Sequence, residues 1–297
     1  MITKLLPIFI SASTGYALGR FVDTGGVQGL LSTLITLLVL TTIFPSMILF
    51  RFESAGVSKK PLLASLLINF VYSPLFALLI LKTGSNHIMK VALASSLLMP
   101  VPSMNSAYVI ISGGNLELTV SLMAVNFLTG VALYPLLLST ISGIHNLGID
   151  PVQISETLMI VIVLPLLFGQ VLRKFVTPSR EVVSKFTEVS LNALVFTIFL
   201  SKASLIHPTS FIVQLPYSVG FILSSVFLSE VISKISGIKR EEHLSYVFLS
   251  TGKNNSTVIA ILTLALSPLY AVYVLFHQFI QIVLLLAYAT AKAEKII

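Results

Sequence analysis

The sequence predicts an all-α membrane protein of ten transmembrane helices, arranged as two inverted five-helix repeats. Three observations carry this. Apolar residues make up 56% of the chain and charged residues 10%, with no polar stretch long enough for a soluble domain. A soluble fold could not hide that much apolar surface, so lipid must be the solvent. The apolar runs are too long and too uniform for barrel strands, and backbone in lipid must satisfy its own hydrogen bonds, which leaves helices. Finally, two short sequence echoes recur at nearly one offset, so the chain reads as two halves.

The spans fall at about 3–19, 28–50, 61–81, 89–112, 117–141, 154–173, 188–202, 211–233, 244–266 and 268–291. The first begins behind Lys4 with a short apolar core, Leu5–Ile10. It imitates a leader, but Gly15 and Gly19, four residues apart, mark a helix-packing face. The second, third, fifth, sixth, eighth and tenth are long apolar runs bounded by charged or glycine-rich loops. The seventh is short. The fourth and ninth carry polar residues in mid-span.

Loop charges orient the spans. Even-numbered loops and both ends hold thirteen basic residues: Lys4, Arg51, Lys59, Lys60, Arg173, Lys174, Arg180, Lys185, Lys234, Lys239, Arg240, Lys292 and Lys295. Odd-numbered loops hold four, Arg20, Lys82, Lys90 and Lys202. This positive-inside bias predicts an even number of spans, with both termini in the cytoplasm and the chain in the plasma (inner) membrane. The net charge of +7 is thus a topology signal and predicts no nucleic-acid partner; the partner surface is the bilayer. Zero cysteines exclude disulfides, iron–sulfur clusters and thiol catalysis.

Gly15-Tyr-Ala-Leu-Gly-Arg-Phe-Val22 matches Gly169-Gln-Val-Leu-Arg-Lys-Phe-Val176, and Asn105-Ser106 matches Asn255-Ser256. These offsets divide the chain at 1–150 and 151–297. Five spans per half force the halves into opposite orientations, an architecture common among secondary transporters.

The chemistry is expected where polar residues interrupt spans. Met99-Pro-Val-Pro-Ser-Met-Asn-Ser106 should unwind the fourth span, because proline lacks an N–H and crowds the preceding turn. Ser250-Thr-Gly-Lys-Asn-Asn-Ser-Thr257 puts eight polar or glycine residues in the ninth. Freed carbonyls, amides and hydroxyls there line a cavity or else glue helices together. Lys253 is the sharpest feature: a built-in cation, an anion contact, a proton carrier, or a lysine snorkelling to the surface. Glu230 reads as an interfacial partner of Lys234 one turn on, with a coupling carboxylate as the alternative. His277, Gln278 and Gln281 read equally as cavity lining or as interhelical hydrogen bonding. No enzyme is expected, since no His-Glu-x-x-His, paired aspartates, Gly-x-Ser-x-Gly or phosphate loop is present.

Gly252-Lys-Asn-Asn-Ser256 resembles the Gly-x-Gln-Asn-Ser stretch of the bile acid:sodium symporters. Ser103-Met-Asn-Ser-Ala-Tyr-Val-Ile-Ile-Ser-Gly-Gly-Asn115, Thr119-Val-Ser-Leu122, Tyr134-Pro-Leu-Leu-Leu138 and Asn69-Phe-Val-Tyr-Ser-Pro74 are similar, in order, to further motifs of that family. The resemblance implies a core of spans 3–5 and 8–10 beside a panel of spans 1, 2, 6 and 7, with broken helices 4 and 9 crossing. It carries sodium sites onto Asn69, Asn105, Ser106, Thr119, Ser250 and Asn254, and substrate contacts onto Asn255 and Gln281. Arsenite exporters share the plan, but that branch resembles chains with a cysteine in span four.

Two departures set this chain apart. Ser250 stands where the family has a glutamate, and Lys253 where it has a neutral residue. Losing an anion and gaining a cation puts sodium coupling in doubt, so no cofactor is expected beyond a doubtful sodium ion, and the coupling ion stays open. The function expected is secondary active transport of a small organic anion by alternating access, with Lys253, Asn254, Asn255, Asn105, Ser106 and Gln281 at the substrate. The alternatives are a sodium-coupled symporter of the bile acid type, or a channel or receptor.

Overall fold

The computed structural model describes residues 6–49, 58–83, 86–101, 105–144, 149–176 and 178–294. Among these the regular structure is helical: α1 (Leu6–Phe21), α2 (Gln28–Leu49), α3 (Lys59–Leu67), α4 (Ser73–Thr83), α5 (His87–Leu98), α6 (Asn105–Ser112), α7 (Leu116–Ile144), α8 (Pro151–Leu158), α9 (Leu164–Leu172), α10 (Arg180–Lys202), α11 (Pro208–Ser236), α12 (Arg240–Thr251), α13 (Asn255–Ala265) and α14 (Pro268–Ala293). Five-residue π turns, Ile68–Tyr72 and Met159–Val163, join α3 to α4 and α8 to α9. Both have one cause. Pro74 and Pro165 stand second in the helix that follows, and widening the preceding turn relieves the clash and the missing donor.

Among the described residues seven helical segments are long and apolar enough to cross a membrane: α2, α7, α10, α11 and α14, and the two continuous through a π turn, α3 with α4 and α8 with α9. They coincide with the predicted spans except the first, fourth and ninth. The first is α1, of 16 residues. The fourth and ninth are each split, into α5 and α6 and into α12 and α13. The predicted seventh span begins too late. Ser179 Oγ accepts from Val182 N at 3.2 Å, and Glu181 pairs with Lys185 at 2.9 Å, so α10 gains two charged turns that hydropathy alone does not reveal.

The chain forms two compact units. One comprises the described residues of 1–50, 152–208 and 259–272. It holds the four spans expected of the panel and, in addition, residues 259–272. Within it α1 packs on α10, α10 on α2, and α2 on α9. A Cβ on Gly15 would stand 2.5 Å from the Phe196 carbonyl oxygen, and one on Gly19 would strike the Leu200 carbonyl. The Gly15–Gly19 face therefore seats helix backbone against helix backbone. Gly169 does the same against Met47, where a Cβ would lie 2.9 Å from the carbonyl carbon.

The second unit comprises the described residues of 51–151, 209–258 and 273–297. Residues Val91–Leu98 of α5 and Ser245–Thr251 of α12 are buried on every side. Helices enclosed in this way tolerate polar residues and irregular backbone only where protein partners satisfy them.

Candidate functional site

The helical interruptions of the fourth and ninth spans meet. After α5, Met99 is extended; after α12, Gly252 is extended. Asn254 N donates to Met99 O at 2.8 Å and Val101 N donates to Gly252 O at 3.3 Å, which sets Pro100 opposite Lys253 as an isolated antiparallel bridge. Each segment thus absorbs backbone groups that the other has freed, the condition for breaking a helix inside an apolar interior. Val101 adopts φ +72°, a left-handed conformation that costs a β-branched residue about 1–3 kcal/mol. Gly130 of α7 leaves the room that Pro100 needs: a Cβ there would lie 2.7 Å from Pro100 Cδ.

Lys253 is 0% exposed. Its backbone is clasped by one amide, since Lys253 N donates to Gln281 Oε1 at 2.9 Å and Gln281 Nε2 donates to Lys253 O at 3.2 Å. Its Nζ donates to Asn69 Oδ1 at 2.6 Å and to Ser73 Oγ at 2.8 Å, and lies 5.4 Å from the centroid of the Phe221 ring. Among the described residues no carboxylate pairs with it. The surface-snorkelling alternative is therefore wrong for this lysine. Its acceptors converge because Asn69, within the π turn, and Ser73, directly after it, are four residues apart and share one helical face.

The acceptors are held in orientation. Asn69 Nδ2 donates to Asn126 Oδ1 at 3.0 Å and to Leu249 O at 3.2 Å; Asn126 Nδ2 donates to Ser65 Oγ at 2.9 Å and Leu122 O at 3.0 Å. Ser65 Oγ donates to Leu62 O at 2.8 Å. Every donor in this series runs one way, from the ammonium to a backbone carbonyl, so Asn69 Oδ1 is fixed as an acceptor facing Nζ.

The remaining predicted residues have separate engagements. Asn255 Oδ1 accepts from Ser96 Oγ, whereas its Nδ2 is buried with no partner among the described residues. Both side-chain polar atoms of Asn105 are likewise buried without a partner among the described residues. Asn254 Oδ1 accepts from Thr257 N at 3.2 Å, capping α13. Ser106 Oγ lies 3.5 Å from Met123 Sδ. Thr119 Oγ1 donates to Asn115 O at 2.7 Å and Ser250 Oγ to Tyr246 O at 2.9 Å, each within its own helix or cap. Asn105 and Thr119, which the resemblance groups with Asn69 at the sodium sites, do not bond to the ammonium; Ser103, in the same motif as Asn105, lies outside the described residues. Sodium wants several hard oxygens and favours an anionic one. Here Asn69 Oδ1 accepts from an ammonium and Ser250 supplies no carboxylate; the Thr119 and Ser250 hydroxyls donate to local carbonyls and keep only neutral lone pairs to offer. An ammonium on the shared oxygen, with no anion beside it, does not fit a sodium ion.

One further expectation changes, and one of the two readings of His277 is seen. Glu230 does not pair with Lys234; its partners are Lys292 and Tyr288 on α14 and His243 on α12. His277 Nδ1 lies 3.0 Å from Ser218 Oγ, an interhelical bond between α14 and α11. Sequence reasoning missed Ser65, Ser73, Asn126 and Phe221. Asn126 was detectable as a lone amide in an apolar span, and Ser73 as the residue one turn after Asn69. Phe221 carries no sequence signal.

Among the described residues no cluster of three or more histidine, cysteine, aspartate or glutamate side chains could hold a metal. No curated protein matches the chain. The family model described as the sodium bile acid symporter family matches residues 34–209. That stretch includes Asn69, Asn105, Ser106 and Thr119, while Ser250–Asn255 and Gln281 lie beyond it. It covers more than half of the 297 residues, and the chain belongs to the sodium bile acid symporter family of membrane transporters.

Proposed function

We propose that this protein is a secondary active transporter of a small organic anion, working by alternating access without sodium. In this reading the Lys253 ammonium takes the place of the ion and meets the substrate carboxylate. One observation carries it: Nζ is fully buried and bonded to Asn69 Oδ1, the oxygen assigned by family resemblance to a sodium site. A sodium ion about 4 Å from that ammonium would be repelled by roughly 4 kcal/mol at an effective dielectric near 20. A buried ammonium facing only neutral groups is itself costly, by at least about 2.5 kcal/mol at mid-membrane. A substrate carboxylate relieves that cost, which gives the anion a reason to bind. Asn255 Nδ2 and the Asn105 amide, buried without partners among the described residues, are the proposed further contacts, with Gln281 holding the Lys253 peptide.

The architecture proposed with it is ten spans in two inverted repeats, 1–150 and 151–297, with both termini cytoplasmic in the inner membrane. Two pairings support it. Gly15 of span one packs on span seven, and Gly169 of span six packs on span two, the same contact with the halves exchanged. Asn105 and Asn255 each open the helix that follows an interruption. The family name favours a second reading, a sodium-coupled symporter.

Purified protein in liposomes separates these readings. Labelled pyruvate, pantoate and taurocholate are offered with sodium or potassium outside. Saturable, counterflow-competent uptake at equal rates in both salts is expected. Sodium-stimulated uptake would establish the second reading instead, and non-saturable flux would indicate a channel.

A further inference from the structure

Glu230 takes no part in the Lys253 network, yet three helices meet on its carboxylate. Oε1 accepts from the Tyr288 hydroxyl and from Lys292 Nζ at 2.9 Å, and Oε2 lies 3.2 Å from His243 Nε2. His243 Nδ1 is 2.7 Å from Ser233 Oγ, and Lys292 Nζ stands 5.3 Å from the centroid of the Tyr288 ring. The Glu230, His243 and Lys292 side chains are only 18–22% exposed. Charge-assisted bonds in such a half-buried place are about twice as strong as neutral ones.

The helix that gains most is α12. It has 12 residues, a length marginal for a helix alone, and its Lys239 N-cap makes no side-chain capping bond. Its C-terminus runs straight into the interruption that carries Lys253. Its position must therefore come from its neighbours. On α14, Gln281, Tyr288 and Lys292 fall at i, i+7 and i+11 and so share one face. The α12 segment is fastened to that face twice: through the Lys253 peptide on Gln281, and through His243 on Glu230, which holds Tyr288 and Lys292. Between the two, the Phe248 ring packs edge-on to Tyr288 with centroids 5.5 Å apart. One fastening would let α12 slide or splay; two fix its height along α14.

We infer that Glu230 is a positioning residue, whose carboxylate seats α12 on α14 and so sets where Lys253 presents its Nζ. The consequence for transport rests on the reading of Lys253 as the anion contact. Because the chain has no cysteine, spin labels on Glu241→Cys and Thr290→Cys report the α12–α14 separation in the full chain in nanodiscs. Glu230→Gln, which keeps the shape and removes the charge, is expected to shift and broaden that distance distribution. For whichever of pyruvate, pantoate and taurocholate the wild type takes up, KM should rise about tenfold while the maximal rate per folded protein changes less than about twofold. Glu230→Asp keeps the charge and should recover most of both readouts. An unchanged distance distribution in Glu230→Gln overturns the inference. So does an equal defect in the Gln and Asp variants, since the carboxylate would then only fill space. If no anion is taken up by any form, the transporter reading fails by itself, and the spin-label distances still decide the role of Glu230.

Discussion

Lys253 Nζ and Asn69 Oδ1 are 2.6 Å apart, although 184 residues of chain separate them. The lysine leaves the gap between α12 and α13; the asparagine sits in the π turn between α3 and α4. Ser73 Oγ supplies a second acceptor, and Asn126 and Leu249 O fix the Asn69 amide so that its oxygen cannot turn away. An ammonium is therefore satisfied by neutral oxygens and an aromatic face, with one charge still to be balanced.

Replacing Lys253 with methionine removes that charge and keeps the bulk. Uptake should fall more than tenfold. The melting temperature should change little, because removing a buried charge that lacks a counter-ion is offset by leaving Asn69 Oδ1 and Ser73 Oγ without their donor. Uptake and thermal unfolding of the same preparation check this. Normal transport by the variant would refute the role of Lys253.

Restoring the family's chemistry should restore its ion. In the double variant Lys253→Met, Ser250→Glu, a carboxylate returns and the competing ammonium is gone. Uptake by that variant should depend on sodium while the wild type remains indifferent to it. The ratio of initial rates in sodium and potassium measures the effect.

Asn126 should matter for stability as well as for transport. Its substitution by alanine removes an acceptor from Asn69 and a donor to Ser65, both buried. Leaving such groups unpaired costs about 1–3 kcal/mol each. The expected outcome is a lower unfolding temperature in detergent, with part of the loss recovered by Asn126→Asp or Asn126→Gln if either still reaches Asn69.

Glycine positions should divide sharply. Gly15→Leu pushes a side chain into the Phe196 carbonyl and should abolish folded protein on size-exclusion chromatography. Gly29 of α2 has nothing within 4 Å of a Cβ, so Gly29→Ala should be neutral or stabilise by up to about 1 kcal/mol.

The proposed orientation is open to labelling, since the native chain offers no thiol. Gly26 and Lys239 are both exposed. Gly26→Cys should react with an impermeant maleimide applied outside cells, and Lys239→Cys should react only after lysis. The reverse pattern would invert the topology.

By itself the sequence determined that this is a multi-pass helical membrane protein, roughly where seven of its spans lie, and where two further apolar stretches break. Those properties are local: composition dictates the solvent, proline removes a donor within its own turn, and a polar run such as Ser250–Thr257 cannot face lipid. The resemblance carried by Asn69, Asn105 and Thr119 agrees with the family found over residues 34–209. Only the tertiary structure decided what Lys253 touches. Asn69 was legible as a candidate, but Ser73, Asn126 and Phe221 became partners through packing between helices distant in sequence. The same holds for Glu230, whose nearest cation in sequence, Lys234, lost to Lys292 and His243 on neighbouring helices. Side-chain pairing across a helix bundle depends on which faces meet, and spacing along one chain does not encode that.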